Sequence, residues 1–114
     1  MVRPSEVSPY YIKVYRDVMF DHNLVMLKYN QLDSDFNEEI VRECRGLILD
    51  EDSLEPVSVP FFKFGNYGES YCPEIDWESA VILEKRDGSL VKVVKLGKDY
   101  LISTNGCIDA FKAM

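Results

Sequence analysis

Apolar residues change from a helical to a strand-like spacing after about residue 20. Near the N-terminus they recur three and four positions apart, at Tyr11, Val14, Tyr15 and Val18. The preceding Ser8–Pro9 pair suits the cap and first turn of a helix. This pattern predicts an N-terminal helix that runs through about Phe20.

Short apolar runs predict strands in the rest of the chain. They lie at residues 24–29, 46–49, 56–59, 80–84, 90–96 and 100–103. Pro56 restricts the third of these to a sheet edge, because proline has no N–H for a central ladder. Asp87–Gly88 predicts a tight hairpin turn between the strands at 80–84 and 90–96. Polar residues predict further turns at Asp50–Ser53 and Gly97–Asp99.

Two further helical segments are short. Asp35 and Glu38 suit the cap of a helix that ends at Glu43, and Asp109–Met114 resembles a first helical turn. Phe61–Gly68 combines aromatic rings with two glycines, which is typical of an irregular packed segment. Together, these helices and strands predict a single domain, 1–114, of the α+β class, mainly antiparallel sheet with an N-terminal helix. Because the last helix barely begins, we expect this to be the N-terminal portion of a larger domain.

Composition indicates a soluble globular chain. Its 114 residues are 46% apolar and 29% charged, and no run approaches the ~20 apolar residues of a membrane span. The first residues lack the apolar stretch of a secretory signal. Three cysteines without a CxxC pair favour reduced thiols and a cytoplasmic location. A single histidine, His22, excludes a site built from several histidines.

Charge is distributed unevenly along the chain. The formal net charge is -7, from 13 basic and 20 acidic residues, which does not indicate nucleic-acid binding. Residues 77–114, however, hold six basic and five acidic side chains. An anionic substrate is therefore expected to bind this second segment.

The segment around Lys85 allows two interpretations. It is an ordinary hairpin with exposed basic flanks, or it presents a nucleophilic lysine. A lysine amine attacks phosphorus only when neutral, and its ordinary pKa is ~10.4, so nearby positive charge would activate it. Asp87 would then hold the turn, and Gly88 would let the backbone approach a nucleotide.

Three segments together resemble one family. Lys85–Gly88 resembles the Lys-x-Asp-Gly signature of covalent nucleotidyltransferases. Arg42–Leu49 and Pro60–Glu69 are similar to two upstream segments of phage-type ATP-dependent RNA ligases, in the same order. From about Leu24 onward, the chain resembles the N-terminal part of that family's adenylylation domain.

The resemblance implies a partial nucleotidyltransferase (ATP-grasp-like ligase) fold that uses ATP and Mg²⁺ in RNA repair. Lys85 would take AMP from ATP as a lysyl-AMP, and the enzyme would join RNA 5′-phosphate and 3′-hydroxyl ends. Arg45 would act with it near the phosphates, where a guanidinium matches phosphate oxygens. The implied nucleotide-binding residues are Lys63, Asn66, Glu84, Asp87 and Gly88. No residue of this chain is assigned as a metal ligand.

The chain departs from the family pattern at two positions. Asn105 stands where the family has a basic residue, and Gly65 where it often has an aromatic one. The family's later motifs, a metal-binding glutamate, a stacking aromatic and two lysines, would follow Met114. The alternative function is therefore a non-catalytic remnant that acts as an RNA-binding or interaction module. Half a domain would also expose a sheet edge, so we expect self-association or pairing with a missing C-terminal half.

Other candidate sites are weaker. Cys44 would need His22 as its base, and the two lie on different predicted elements. Asp50–Asp52 matches part of a calcium loop, but a solvated turn is favoured because the other ligands are missing. Tyr10, Tyr11 and Tyr15 are interpreted as core and boundary residues rather than a base-stacking platform.

Overall fold

The two strands with continuous apolar runs lie side by side in the middle of a four-stranded sheet. The computed structural model describes residues 2–113. The sheet is antiparallel, in the order β1 (Lys13–Met19), β2 (His22–Lys28), β3 (Arg45–Asp50), β4 (Pro56–Ser58). A separate antiparallel hairpin consists of β5 (Val91–Leu96) and β6 (Asp99–Thr104). The helical segments are α1 (Glu39–Glu43) and single 3₁₀ turns at Pro4–Glu6, Ser8–Tyr10 and Ala110–Ala113.

Both faces of the central strands are covered, which explains why their apolar runs do not alternate with polar residues. Successive side chains of a strand point to opposite faces, so β2 and β3 supply two cores. One core joins the sheet to the N-terminal segment and α1 through Val25, Leu27, Leu47, Leu49, Val7, Val41 and Cys44. The other joins it to the β5–β6 hairpin and the segment that follows, through Leu24, Met26, Ile48, Leu101 and Ile108.

The predicted N-terminal helix is wrong, because its residues form strand β1. Ser8–Pro9 begins only a single 3₁₀ turn, and residues 13–19 pair in register with β2. Phe20 and Asp21 connect the two strands with φ values of 51° and 65°, the left-handed conformation of a tight hairpin turn. The predicted apolar helix face is not buried, with Tyr11 and Val18 each 62% exposed. Pairing with the open edge of β2 overrides the local helical spacing.

The predicted strand at residues 80–84 is also wrong, and so is the hairpin turn at Asp87–Gly88. Residues 80–90 contain no strand, and Ile82 is 96% exposed. A strand requires a partner for its backbone groups, and no described strand pairs with this segment. Strand β5 pairs with β6 instead, through a turn that contains Gly97 at φ +63°.

Other predicted elements are confirmed. Strands β2 and β3 lie where the apolar runs predict them, and Pro56 begins an edge strand. Asp50 Oδ1 accepts hydrogen bonds from the backbone N–H groups of Asp52 and Ser53, which closes the predicted turn. Helix α1 is present without a side-chain cap, and Asp35 instead accepts a bond from the Asn37 N–H.

The structure is thus mostly antiparallel sheet with one short α-helix. The predicted C-terminal helix is a single 3₁₀ turn, and Met114 lies outside the described residues. Within residues 2–113, every helix is too short or too polar to span a bilayer.

Candidate functional site

A β-bulge at Gly46 distorts the central sheet next to Arg45. Leu27 pairs with Leu47 and Lys28 pairs with Arg45, so Gly46 has no partner on β2. Its φ of +86° favours glycine, and an added Cβ would lie 2.8 Å from Asn105 Cα. The bulge places Arg45 and Lys28 opposite each other, on the sheet face that the β5–β6 hairpin covers.

The hairpin contributes Lys92 to the same place. The Lys92 ammonium donates a 2.5 Å hydrogen bond to the Gly46 carbonyl oxygen. The side chain is half-buried, and this desolvation lowers its pKa to about 8. Ser103 pairs with Lys92 across the hairpin and is fully buried, and its Oγ has no hydrogen-bond partner among the described residues. The buried Oδ1 of Asn105 also has no hydrogen-bond partner among the described residues.

Three half-buried cations therefore lie at or next to the bulge, and we call Lys28, Arg45 and Lys92 the basic cluster. Lys28 Nζ would lie 3.5 Å from a Cβ added at Gly106, and the Arg45 guanidinium lies 5.0 Å from the Phe64 ring centroid. None of the ion pairs found within residues 2–113 includes a member of the cluster. Because cations removed from water are normally paired, this arrangement can bind an oxyanion.

Lys63 lies in a neighbouring cleft. Its backbone N–H donates to the Arg42 carbonyl at 2.8 Å, and its Nζ lies 5.4 Å from the Phe36 ring centroid. The cleft has a volume of about 590 Å³ and is also lined by Phe64 and Tyr71. Since Phe64 also contacts Arg45, the cleft adjoins the basic cluster. An ammonium over an aromatic ring is a common packing contact, so the position of Lys63 does not by itself indicate nucleotide binding.

Asn66 and Gly65 stabilise the irregular aromatic segment. The Asn66 N–H donates a 2.6 Å hydrogen bond to Glu69 Oε1, and this bond holds the pKa of Glu69 below its ordinary value. A Cβ at Gly65 would lie 2.8 Å from the Tyr71 ring, so the glycine makes room for that ring. The Asn66 side chain is exposed.

The remaining predicted residues lie apart from the cluster. Lys85, Glu84, Asp87 and Gly88 all belong to the exposed residues 73–90. Glu84 pairs with Arg86 at 3.6 Å, and an added Cβ at Gly88 would meet nothing within 4 Å. In the described structure, no hydrogen bond or ion pair joins these four residues to Arg45 or Lys63. The structure thus brings Arg45 and Lys63 to adjoining sites and leaves Lys85 at a separate surface.

Sequence reasoning missed Lys28 and Ser103 and treated Lys92 only as part of a generally basic segment. One signal was available, because a glycine inside an apolar strand such as Gly46 often marks a bulge. Which basic side chains such a bulge brings together depends on strand register, which the sequence pattern leaves undefined.

The structure forms neither a Cys44–His22 catalytic pair nor, within residues 2–113, a metal-binding cluster. Cys44 is fully buried in the core, and desolvation raises the pKa of its thiol to about 12. His22 begins strand β2, and its Nδ1 lies 3.6 Å from Asp50 Oδ2. In the described structure it makes no recorded contact with Cys44, so the Cys44–His22 pair is not formed. Within residues 2–113, no group of three or more His, Cys, Asp or Glu side chains could hold a metal ion.

Comparisons with known proteins point to RNA ligases. No protein-family model matches the chain. A viral protein named "Putative bifunctional polynucleotide kinase/RNA ligase", from Autographa californica nuclear polyhedrosis virus, is 34% identical to it over 97 residues. The match covers 75% of this chain and 14% of the relative, so the chain spans a small part of that protein's length. These figures support a distant relationship to an RNA ligase.

Proposed function

We propose that this chain is part of an ATP-dependent RNA ligase and that Lys85 carries AMP during the reaction. The observation that carries the proposal is the basic cluster around Gly46, which lacks a carboxylate partner and contains Arg45 of the ligase-like segment. The similarity to a protein named as a polynucleotide kinase and RNA ligase supports it.

The proposed chemistry has three displacements at phosphorus. The neutral Lys85 amine attacks the α-phosphate of ATP, the bond to the β-phosphate breaks, and pyrophosphate leaves. A 5′-phosphate oxygen of RNA then displaces lysine and takes AMP. Finally the 3′-hydroxyl of a second RNA end attacks that 5′-phosphate and releases AMP, which forms the phosphodiester.

Arg45 is proposed to hold phosphate oxygens with its planar donors during these steps. Lys63 and Asn66 would bind the nucleotide from the adjoining cleft, and Glu84, Asp87 and Gly88 would contact it beside Lys85. The described residues contain no group of three or more metal-ligating side chains. We therefore assign no step to Mg²⁺ and treat it as entering with ATP.

The proposal requires Lys85 to approach the basic cluster when nucleotide binds. The hydrogen bonds and ion pair recorded within residues 74–90 all join residues of that segment. Apart from the Trp77–Tyr67 ring contact at 5.9 Å, few recorded interactions oppose its movement. Exposed Val81, Ile82 and Leu83 would lose contact with water on docking. A nucleotide that contacts both Lys85 and Arg45 would favour the docked state.

Intact-mass measurement after incubation with ATP and Mg²⁺ tests the proposal. We expect an added mass of one AMP in the unchanged chain, its loss in Lys85→Ala, and its retention in Lys98→Ala, an exposed lysine of the β5–β6 turn. No adduct, or an adduct that persists in Lys85→Ala, would contradict it. Replacing ATP with GTP distinguishes a capping-type nucleotide preference.

The exposed position of Lys85 favours a second candidate, a non-catalytic RNA-binding module. In that case the chain would bind 5′-phosphorylated RNA without ever gaining AMP. RNA binding measured alongside the mass experiment separates the two functions.

A further inference from the structure

The bulge at Gly46 holds more cationic and polar groups than the ligase resemblance assigns. We infer that Lys92, Lys28 and Ser103 form a binding site for a phosphate group at this bulge. The inference deepens the proposed function and rests on it only for the source of the phosphate. Its test does not require AMP transfer.

The basic cluster carries positive charge without a recorded carboxylate partner within residues 2–113. Lys28 is half-buried opposite Arg45, Lys92 is half-buried against the adjacent Gly46, and no described carboxylate lies within ion-pair distance of any of the three. The chain has a net charge of -7, so acidic residues to pair with them are not scarce. Like charges that are partly withdrawn from water repel each other, and a bound anion would remove that cost.

The members of the basic cluster lie on strands of packed sheets. Lys92 lies on β5 and bonds to the Gly46 carbonyl at 2.5 Å, which uses one of its three N–H donors. Lys28 lies on β2, opposite Arg45 on β3. The three cations therefore come from three strands of packed sheets, so the backbone positions of all three and the ammonium of Lys92 are fixed before a ligand binds.

The hydroxyl of Ser103 is buried without a partner among the described residues. Its side chain has no exposed area, and its Oγ has no hydrogen-bond partner in the described part of the chain. Buried hydroxyls are normally hydrogen-bonded, so an unpaired one points to a missing partner. Ser103 is the cross-strand partner of Lys92 on the same face of the hairpin, and its O–H can donate to an oxygen placed beside the ammonium.

A phosphate group matches these donors in charge and in its number of acceptor oxygens. It has two possible sources in the proposed reaction, the polyphosphate of a nucleotide and the 5′-phosphate of RNA. Both present the same chemistry to the site. Pyrophosphate serves as the probe for the first, and a short 5′-phosphorylated oligoribonucleotide, compared with its 5′-hydroxyl form, serves for the second.

Calorimetric titration of the chain with these probes tests the inference. We expect Lys92→Met and Lys28→Met each to weaken pyrophosphate binding by at least about tenfold, since each removes a charge-assisted hydrogen bond. Ser103→Ala should weaken it by a smaller factor. Lys95→Met, on the exposed side of the same strand β5, is the matched control and should bind as the unchanged chain does.

The opposing interpretation is that Lys92 only joins the hairpin to the bulge. In that case Lys92→Met would lower the unfolding midpoint, while Lys28→Met and Ser103→Ala would leave pyrophosphate affinity unchanged, and the inference would be wrong. Lys28 makes no recorded hydrogen bond, so its variant keeps the test valid even if Lys92→Met does not fold. Equal affinity for chloride, or weakening by Lys95→Met as large as by Lys92→Met, would also overturn the site.

Lys85→Ala separates this inference from the proposed function. If Lys85→Ala and the unchanged chain bind pyrophosphate equally and neither gains AMP, the phosphate site stands and the ligase proposal fails. If AMP is added but the cluster variants bind pyrophosphate normally, the ligase proposal stands and the phosphate site fails.

Discussion

Lys92 and Gly46 join the β5–β6 hairpin to the central sheet by a single hydrogen bond of 2.5 Å. The bulge makes this bond possible, because Gly46 has no partner on β2 and its carbonyl is open to the ammonium. Gly46 also allows close approach, since the Asn105 backbone occupies the space where a Cβ would lie. Gly46, which has no side chain, thus allows the contact between the hairpin and the central sheet that holds Lys92.

Gly46→Ala should destabilise the protein more than Gly97→Ala. Both glycines have positive φ, so each alanine carries a backbone cost of ~1–2 kcal/mol. Only the alanine at position 46 also meets Asn105 Cα at 2.8 Å, which adds ~1–3 kcal/mol of overpacking. Urea unfolding of both variants measures the difference. Equal losses would show that the contact with Asn105 relaxes freely.

The stability of the protein should rise with pH above about 8. Burial lowers the pKa of Lys92 to about 8 from 10.5, so between these values the unfolded chain binds a proton that the folded chain does not. The unfolding free energy therefore increases with pH in this window, and below it the full cost of burying the charge remains. Urea unfolding at several pH values in phosphate-free buffer should show this slope in Lys95→Met and lose it in Lys92→Met.

Cys44 should resist alkylation under native conditions. Its thiol is fully buried and has a pKa of about 12, so almost no thiolate is present near pH 8. Cys72 and Cys107 are half-buried and should react with iodoacetamide. Peptide mass mapping should find Cys44 labelled only after denaturant is added. Labelling of native Cys44 at the rate of Cys107 would indicate that the core opens readily.

Lys112→Met should raise the pKa of Asp17 toward 3.8. The 2.8 Å hydrogen bond from Lys112 is the main cause that lowers it. A carboxyl with a lowered folded pKa adds stability above its ordinary pKa, and this is lost as pH falls through the folded value. NMR titration of the Asp17 carboxyl measures the shift, with Lys98→Met as the unaffected control. An unchanged pKa in Lys112→Met would mean that the ion pair is not populated in solution.

Trypsin should first cut the folded chain after Lys85 or Arg86. Residues 73–90 are exposed, and their recorded hydrogen bonds are local, so little structure must open before cleavage. Lys28, within the sheet, should be cut later. Mass spectrometry of brief digests identifies the first site. Under the proposed function, ATP should slow the cut at Lys85, and a first cut after Lys28 would contradict the arrangement of the sheet.

Local chemistry was enough to predict part of this fold. The apolar runs of β2 and β3 are buried on both faces, the edge position of β4 follows from Pro56, and the turn at Asp50 closes with its own side chain. Each of these depends on residues near one another in the chain. Arg45 could also be singled out, because a recognisable segment surrounds it.

Other features depend on partners distant in the chain, and here the residue pattern was insufficient. Residues 13–19 have helical spacing but form a strand because β2 offers an open edge, whereas residues 80–84 have the pattern of a strand and find no edge. The placement of Lys28, Arg45 and Lys92 at or next to one bulge depends on strand register and on the packing of one sheet against another. The stability of a strand pair or of packed sheets depends on residues from the whole molecule. The sequence therefore determined local turns and buried apolar runs, whereas tertiary structure decided which segments became strands and where the basic cluster formed.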